Sequence, residues 1–326
     1  MLILTNLSIA LVIDRVVGDP HWLWSKIPHP VVLFGKAIAF FEAQFNGRGL
    51  DDRARRSYGI LTILALLLAS TLGGWIVHSG LAALGLFGTV IEILIVAVLL
   101  AQKSLSDHVG AVASGLRKGG LEGGRQAVSM VVGRDPQSLD QPAVCRAAIE
   151  TLAENFSDGV IAPALSYAVF GLPGLFAYKM LNTADSMIGH KTQRYLHFGW
   201  ASARLDDLAN WPAARLSALL IAGGAWIERG PKAAGRALHV ALTDHGLHRS
   251  PNSGWPESAM AGAIDVALAG PRIYAGERVQ EPLQNAPGRR AIGPSEIVAA
   301  LAVYGSACTV FNLALPVVVL ALLAFS

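Results

Sequence analysis

The chain has 326 residues, of which only 15% are charged, while 53% are hydrophobic before its 34 glycines are counted. Soluble domains carry about 25% charged residues, and the mean hydropathy here is +0.46, which favours a membrane protein over a disordered chain or a disulfide-stapled secreted module. The small net charge of +3 does not indicate nucleic-acid binding, and we expect no nucleic-acid partner.

Two apolar stretches predict a helical hairpin in the membrane. A bilayer core about 30 Å thick needs roughly 20 apolar helical residues. Residues 59–77 contain no charge, and residues 86–101 contain a single acid, Glu92. The uncharged residues 79–85 between them are interpreted as the turn of the hairpin.

Other apolar stretches add candidate membrane segments. Residues 1–17 are apolar, and residues 297–325 form a long stretch in which Pro316 predicts a kink. Residues 160–178 and 212–227 are weaker candidates, since the first is interrupted by prolines and glycines. We predict that these two do not both cross the membrane and that they contribute broken or re-entrant helices.

Basic residues orient this arrangement, because the segments 18–58 and 102–159 flank the hairpin on one side and positive loops stay cytoplasmic. The sequence therefore predicts an all-α polytopic integral protein of the cytoplasmic (inner) membrane, with roughly four or five membrane helices. We predict that broken helices line a polar cavity that faces the cytoplasm and that residues 1–326 form a single membrane-embedded domain. Within it, residues 228–295 are a cytoplasmic insertion of helices and loops, with a small hairpin at 272–279.

The scarce charges gather in three clusters, the first of which lies before residue 160. Its members follow each other at intervals of four, which places them along one helical face: Arg146, Glu150, Glu154 and Asp158. A solvated face with ion pairs explains this spacing. A bound divalent cation explains it as well, because three acids lie beside a membrane segment.

The second cluster occupies residues 179–215. Lys179, Asn182, Asp185, Ser186 and Gly189 share one helical face. The remaining polar members follow: Lys191, Arg194, Arg204, Asp206, Asp207, Asn210 and Arg215. The adjacent carboxylates Asp206 and Asp207 cannot point the same way on a helix, so we expect one to face the site and the other to hold an arginine. So many ionisable groups must line a polar cavity or stand in water.

The third cluster is a loop at 250–258 that contains Ser250, Asn252 and Glu257 and precedes a helix of small residues. A helix start is a natural place to bind an anion. His245 and His248 are interpreted as polar surface residues. Carboxylates mixed with cations indicate Mg²⁺ together with phosphate, but spacing alone does not name a reaction.

Five motifs follow one another in a characteristic order: Asp14 with 18–20 (GDP) and 28–31 (PHPV), 150–155 (ETLAEN) with 157–159 (SDG), 178–179 (YK) with 182–183 (NT) and 185–187 (DSM), 202–207 (SARLDD), and 250–257 (SPNSGWPE). The set resembles the CobD/CbiB family of cobalamin biosynthesis, the adenosylcobinamide-phosphate synthases, from about residue 10 to about residue 320.

The resemblance implies an integral membrane ligase that acts late in cobalamin assembly. Such enzymes use ATP to join adenosylcobyric acid to (R)-1-amino-2-propanol O-2-phosphate, or to ethanolamine phosphate, giving adenosylcobinamide phosphate. Amide formation from a carboxylate needs activation, most simply as an acyl phosphate, with Mg²⁺ and cations on the transferring group. The expected cofactors are therefore ATP and Mg²⁺. The expected partners are the two substrates, membrane lipid and other late cobalamin-pathway membrane enzymes.

Residue roles follow from this reaction as hypotheses. Four carboxylates would hold Mg²⁺: Glu154, Asp158, Asp185 and Asp207. Four cations would contact phosphates: Lys179, Lys191, Arg194 and Arg204. Three amides would orient substrates: Asn155, Asn182 and Asn252. Glu257 would accept the amine proton, and Lys179 and Glu257 join the four acids as the catalytic set. The binding set is completed by Ser186, Asn210, Arg215 and Ser250.

Two other classes of protein remain as alternatives. A CDP-alcohol-type membrane phosphotransferase also binds Mg²⁺ through helix carboxylates, but Pro163 follows residues 158–162 where that signature needs arginine. A non-catalytic AmpE-like sensor or transporter would lack the dense polar sets at 179–185 and 204–207.

Overall fold

The computed structural model describes residues 2–130, 136–270, 272–274, 277–279 and 281–324. These residues are mostly helical, as the apolar runs predict. In chain order the helices are α1 (Leu2–Val17), α2 (His21–Trp24), α3 (Pro30–Phe45), α4 (Asp52–Ala82), α5 (Gly85–Leu99), α6 (Gln102–Val128), α7 (Gln141–Asn155), α8 (Ala162–Ile188), α9 (Trp200–Arg229), α10 (Pro231–Asp244), α11 (Gly254–Ile264) and α12 (Pro294–Ala324). Short 3₁₀ turns occur at Pro136–Ser138 and His245–Leu247, and a π-helical segment, Phe156–Ile161, joins α7 to α8.

Two small antiparallel ladders lie between α11 and α12. Strand β1 (Leu268–Ala269) pairs with β4 (Leu283–Gln284), and β2 (Arg272–Tyr274) pairs with β3 (Glu277–Val279). The hairpin predicted at 272–279 is confirmed by the pairing of β2 with β3.

The chain forms two compact units. The first contains residues 1–101 and 162–210, and in it α8 packs on α3 and α4 while α1 packs on α5. Its core includes five almost fully buried residues: Ile38, Ile63, Leu66, Leu181 and Phe198. Helix α4 approaches α8 closely at Gly74, where a Cβ would lie 2.8 Å from the Leu172 carbonyl oxygen. A larger residue at this position would therefore separate the two helices.

Helix α8 is broken where the sequence predicts an interruption. Gly171 has φ 63° and ψ −155°, and Pro173 follows within the helix. A positive φ costs glycine little, whereas a proline removes a backbone donor and disfavours a continuous helix. The break separates the apolar first half of α8 from its polar second half.

The second unit contains residues 102–161 and 211–321. Helix α11 is buried along its whole length and packs on α10 and α7, and α6 packs on α7. A Cβ at Gly224 of α9 would meet the backbone of α12 at Val303, so these two helices also lie in close contact. The prediction of one catalytic domain with an insertion at 228–295 stays a prediction.

Four helical stretches of the described residues are long and apolar enough to cross a membrane: Asp52–Ala82, Gly85–Val128, Gln141–Ile188 and Pro294–Ala321. The protein is therefore an all-α polytopic integral membrane protein, as predicted. The hairpin of 59–77 and 86–101 is confirmed, although α4 continues to Ala82 and its turn is shorter than predicted. Of the two weaker segments, only 160–178 belongs to such a stretch, since α9 does not qualify.

Two buried polar residues, Glu92 and Tyr167, and the partly exposed His78 form a cluster among the membrane helices of the first unit. The Tyr167 hydroxyl donates to Oε1 of Glu92 at 2.7 Å, and Nδ1 of His78 lies 2.8 Å from Oε2 of the same carboxylate. Glu92 is 5% exposed. Both oxygens of the one acid in the predicted hairpin thus have a partner.

Candidate functional site

The polar second half of α8 carries the side chains that the sequence placed on one face. Lys179, Asn182 and Asp185 are each partly buried. The Asp185 carboxylate lies directly against Gly189, where a Cβ would overlap it. The absence of a side chain at Gly189 therefore leaves space for the Asp185 carboxylate.

Helix α9 brings a second carboxylate to the same unit. Asp206 is 7% exposed, and its Oδ2 accepts a hydrogen bond of 2.8 Å from Nδ2 of Asn210, one turn later. The hydroxyl of Tyr178, also buried, donates to Oδ1 of Asn210 at 2.8 Å. The tyrosine can only donate to the amide oxygen when the amide nitrogen faces Asp206, so it fixes the orientation of Asn210.

The second oxygen of Asp206 has different surroundings. Oδ1 is buried and accepts no hydrogen bond of normal length from the described residues. Burial first, and then the charge of Asp185, raises the pKa of Asp206 to about 7. The amides of Asn210 and Asn182 oppose that shift, while Asp207 adds to it. A buried acceptor without a donor, beside a second acid, is suited to a bound cation or to a proton.

Asp207 has different neighbours. It is half-buried, and burial raises its pKa, whereas the charges of Arg204 and Lys191 lower it. Of the adjacent carboxylates, one is thus buried with Asn210 and the other lies among cations. The sequence predicted that one acid would face the site and the other would hold an arginine, and it assigned Mg²⁺ to Asp207. In the structure the acid with a buried, unpaired oxygen among the described residues is Asp206.

Arg194, predicted to contact phosphate, is held by an acid. Its Nε donates to Oε1 of Glu42 at 2.8 Å and its Nη2 to Oε2 at 3.0 Å, which is a bidentate pair. Hydrogen bonding to Glu42 raises the pKa of Arg194. Ser186, predicted to bind substrate, is exposed and donates to the Asn182 carbonyl oxygen at 2.9 Å.

In the second unit, the acids spaced by four on α7 have separate partners. The buried Glu150 accepts from the Ala269 backbone N–H at 2.8 Å, and Glu154 accepts from the Ser253 hydroxyl at 2.8 Å. The side chain of Asn155 donates to its own helix at the Thr151 carbonyl. Asp158 lies in the π-helical segment that follows α7 and is partly buried.

The loop ahead of α11 is ordered by Ser250 and Arg215. The Ser250 hydroxyl oxygen accepts the N–H groups of Asn252 and Ser253 at 3.2 and 3.3 Å. Nη1 of Arg215 donates to Oδ1 of the buried Asn252 at 3.1 Å. These bonds present the start of α11 in one defined conformation.

Aromatic rings hold Arg215 in place. Its guanidinium carbon lies 4.3 Å from the centre of the Trp211 ring and 5.0 Å from that of Trp255. Burial lowers the pKa of Arg215. An arginine held between two indoles and bonded to Asn252 can present its remaining donors to an anionic group.

His245 and His248, interpreted from the sequence as surface residues, are instead half-buried parts of this loop. The His245 ring stacks on Trp255 at 4.0 Å, and Nε2 of His248 lies 3.7 Å from Oε1 of Glu257. Glu257 itself is 2% exposed. The predicted base is therefore buried beside a histidine that the sequence reasoning missed.

The fit of the residues to a metal can be tested on the structure. In the described ranges, no group of three or more His, Cys, Asp or Glu side chains is close enough to hold an ion alone. Mg²⁺ often takes only one or two protein carboxylates and completes its shell with waters and substrate phosphates. The buried Oδ1 of Asp206, which has no hydrogen bond of normal length among the described residues, fits that second kind of site together with Asp185.

The predicted four-acid set is divided between the units. Asp185 and Asp207 belong to the first unit, and Glu154 and Asp158 belong to the second. Their joint role as Mg²⁺ ligands stays a prediction. Asp206 could have been preferred from its four-residue spacing to Asn210, which places both on one face of a helix.

Comparisons with known proteins point to one family. A family model described as CobD/Cbib protein matches residues 7–304. A protein of Sinorhizobium sp named Cobalamin biosynthesis protein CobD is 67% identical over 308 residues, covering 94% of this chain and 95% of that protein. Proteins of the same name from Rhizobium meliloti (strain 1021) and Rhodobacter capsulatus are 61% and 47% identical, covering 99% and 91% of each chain. No solved structure matches the chain.

Proposed function

The chain belongs to the CobD/Cbib family, in which the relatives above are named for cobalamin biosynthesis, and we propose that it is the adenosylcobinamide-phosphate synthase of that pathway. It joins adenosylcobyric acid to (R)-1-amino-2-propanol O-2-phosphate, or to ethanolamine phosphate, with hydrolysis of ATP to ADP and phosphate. The observation that carries this proposal is Asp206, a buried carboxylate near the charge of Asp185 whose Oδ1 accepts no hydrogen bond of normal length from the described residues.

Asp206 and Asp185 are assigned to Mg²⁺ bound with the phosphates of ATP. When bound, the metal neutralises charge on the transferring phosphoryl group. Asn210, held by the Tyr178 hydroxyl, keeps the second oxygen of Asp206 in place. Lys179 on the same face of α8 is assigned to a phosphate oxygen, because an ammonium is a compact cation for that purpose.

The reaction balances in two steps. A carboxylate oxygen of the corrinoid attacks the γ-phosphorus of ATP, the bond to the bridging oxygen breaks, and ADP leaves. The amine nitrogen then attacks the activated carbonyl carbon, and the bond from that carbon to the phosphate oxygen breaks. The proton lost from the amine passes to a general base, and the role of Glu257 as that base stays a prediction from the sequence.

The loop of the second unit is assigned to substrate recognition. Arg215 is suited to an anionic group, and Asn252 orients it through the bond to its guanidinium. The hydrogen bond from the Ser253 hydroxyl to Glu154 connects the loop to α7. The chemistry of these groups matches a phosphorylated amine, which carries both an anion and a hydrogen-bond donor.

A reconstituted assay tests the proposal. Purified protein in detergent is supplied with ATP, Mg²⁺, adenosylcobyric acid and either amino-alcohol phosphate, and ADP and adenosylcobinamide phosphate are measured by mass spectrometry. We expect equal amounts of both products, none without ATP, and about 100-fold slower formation with Asp206→Asn. Failure to form the amide with either amine would refute the ligase and favour a sensor or transporter.

We also propose that the reaction takes place at the cytoplasmic face of the inner membrane, because ATP is cytoplasmic and basic segments flank the hairpin. His190 is exposed, whereas the native Cys145 and Cys308 are buried. A His190→Cys variant in intact cells should resist an impermeant maleimide and react after the cells are opened. Labelling in intact cells would contradict this orientation.

A further inference from the structure

A basic cavity of about 550 Å³ lies in the first unit, where α3 ends and α4 begins. Six described residues line it: Asn46, Gly47, Arg48, Arg55, Gln193 and Arg194. Three of them are arginines and none is an acid. The proposed ligase reaction assigns nothing to Arg48 or Arg55, so the cavity needs an explanation of its own.

The positive charge of the cavity comes from two of its arginines. Glu42 neutralises Arg194 through the bidentate pair, and Nδ2 of Asn46 donates to the Arg194 carbonyl oxygen at 3.1 Å, which fixes that wall. Neither contact involves Arg48 or Arg55. Among the described residues no ion pair within 4.0 Å neutralises Arg48 or Arg55, so these two arginines give the cavity a net positive charge.

Arg55 also has an unused donor. Its Nη2 reaches the carbonyl oxygens of Gly47 and Arg48 at 3.5 and 3.3 Å, which are long hydrogen bonds. Its Nε is buried and has no hydrogen-bond partner among the described residues. Within the described residues the guanidinium group of Arg55 is therefore only weakly bonded, which suits it to an anionic acceptor.

The cavity lies at the end of a membrane helix. Helix α4 has 31 residues, which at 1.5 Å per residue gives about 46 Å, more than the roughly 30 Å of a bilayer core. Its charged first turn therefore reaches the headgroup region. Aromatic residues mark the same level, since Phe45 stacks on Tyr58 and the Arg56 guanidinium lies 3.8 Å from the Trp200 ring.

An exposed apolar face continues along α4 beyond this level. Tyr58, Leu61, Leu68 and Leu72 are exposed and recur at the spacing of one helical face. A ligand with a phosphate at one end and a hydrocarbon chain at the other matches this order of surfaces. A soluble phosphate matches only the cavity.

We infer that the cavity binds the headgroup of an anionic phospholipid, with Arg48 and Arg55 contacting phosphate oxygens and an acyl chain lying along the exposed leucines of α4. Basic pockets beside membrane helices bind anionic headgroups in this way. Inorganic phosphate and ATP share the phosphate chemistry, so the test must separate them from lipid.

Native mass spectrometry from mixed micelles measures the binding. The full-length protein is released from detergent that contains phosphatidylglycerol or phosphatidylcholine, and bound lipid is counted for wild type and for Arg48→Gln, Arg55→Gln and Arg53→Gln. Arg53 is the matched control, because it lies on the same turn of α4 but does not line the cavity. Arg48→Gln removes one positive charge from the cavity but keeps the backbone carbonyl oxygens of residues 47 and 48 that accept from Arg55. It therefore separates the loss of charge from a change in the loop between α3 and α4.

We expect wild type to prefer phosphatidylglycerol, and each cavity variant to lower that preference about ten-fold, the effect of losing one hydrogen bond to a charged group. Arg53→Gln should leave the preference unchanged. Equal losses in all three variants, or no preference in wild type, would overturn the inference. Displacement of the bound lipid by inorganic phosphate or ATP would reassign the cavity to a soluble anion. None of these outcomes depends on ligase activity.

Discussion

Glu92 and Asp206 are both buried acids of the first unit, with exposures of 5% and 7%, yet their surroundings are opposite. Glu92 has a partner on each oxygen, Tyr167 on one and His78 on the other. Asp206 has Asn210 on one oxygen and, among the described residues, no hydrogen bond of normal length on the other. Burial alone therefore does not separate these two acids, whereas the surroundings of the second oxygen do.

The two acids also differ in their neighbouring charges. Glu92 pairs with a histidine inside a membrane hairpin, where an unpaired charge would be costly. Asp206 lies near a like charge, Asp185. A bound cation or a proton would remove the repulsion between the two carboxylates. The first arrangement stabilises a fold, and the second is stable only with something added.

The largest effect is expected for Asp206→Asn. It should lower ligase turnover about 100-fold, or about 2.7 kcal/mol in transition-state free energy, because the variant cannot offer a negative oxygen to Mg²⁺. Burial raises the pKa of Asp206, so at pH 8 without metal the ionised acid destabilises the fold, and the variant should unfold no earlier than wild type. Turnover and thermal midpoint in EDTA are the two measurements.

Asp207→Asn is the matched control for that prediction. It makes the same chemical change one residue later, at a half-buried acid beside Arg204 and Lys191. We expect a smaller loss of turnover than for Asp206→Asn. The reverse order would restore the metal role that the sequence assigned to Asp207.

Glu92→Gln should produce the opposite pattern. Glutamine offers one acceptor oxygen where the carboxylate offers two, so we expect a loss of about 2 kcal/mol in the free energy of unfolding. Turnover per folded molecule should not change. Denaturant titration in detergent measures the loss, and Glu122→Gln, at an exposed acid of α6, should change stability by less than about 0.5 kcal/mol. A turnover defect in Glu92→Gln would place this acid in the reaction as well.

The sequence predicts the membrane fold because charge-free runs and their interruptions have direct physical consequences. The run at 59–77 became part of α4, and the glycine and proline at 171–174 became the break in α8. The site was predicted less well. Adjacent acids such as Asp206 and Asp207 look equivalent in a sequence, and only the packing of α9 separates them.

Other features of the site depend on contacts between distant segments. The stacking of His245 on Trp255 and the placement of Arg215 beside Trp255 join α9, the loop and α11. The π-helical segment after α7 has no sequence signal, since its residues suit an α-helix as well. Such features follow from tertiary packing, which local periodicity does not contain.

The smallest effect in this series compares two buried tyrosines. The Tyr178 hydroxyl donates to Asn210 at 2.8 Å, and the Tyr167 hydroxyl donates to Glu92 at 2.7 Å. Each Phe variant removes one hydrogen bond, worth about 1 kcal/mol. In Tyr178→Phe the loss should be in catalysis, about five-fold in turnover, because Asn210 is free to turn its amide oxygen towards Asp206.

In Tyr167→Phe the loss should be in the unfolding free energy, with turnover unchanged, because Glu92 has only a structural role. The double variant Tyr178→Phe/Asp206→Asn provides the internal check on the first tyrosine. Because Tyr178 acts through Asp206, the double variant should be no slower than Asp206→Asn alone. Additive losses in the double variant would mean that Tyr178 contacts the substrates directly. Equal effects of Tyr178→Phe and Tyr167→Phe on turnover would remove the distinction between Asp206 and Glu92.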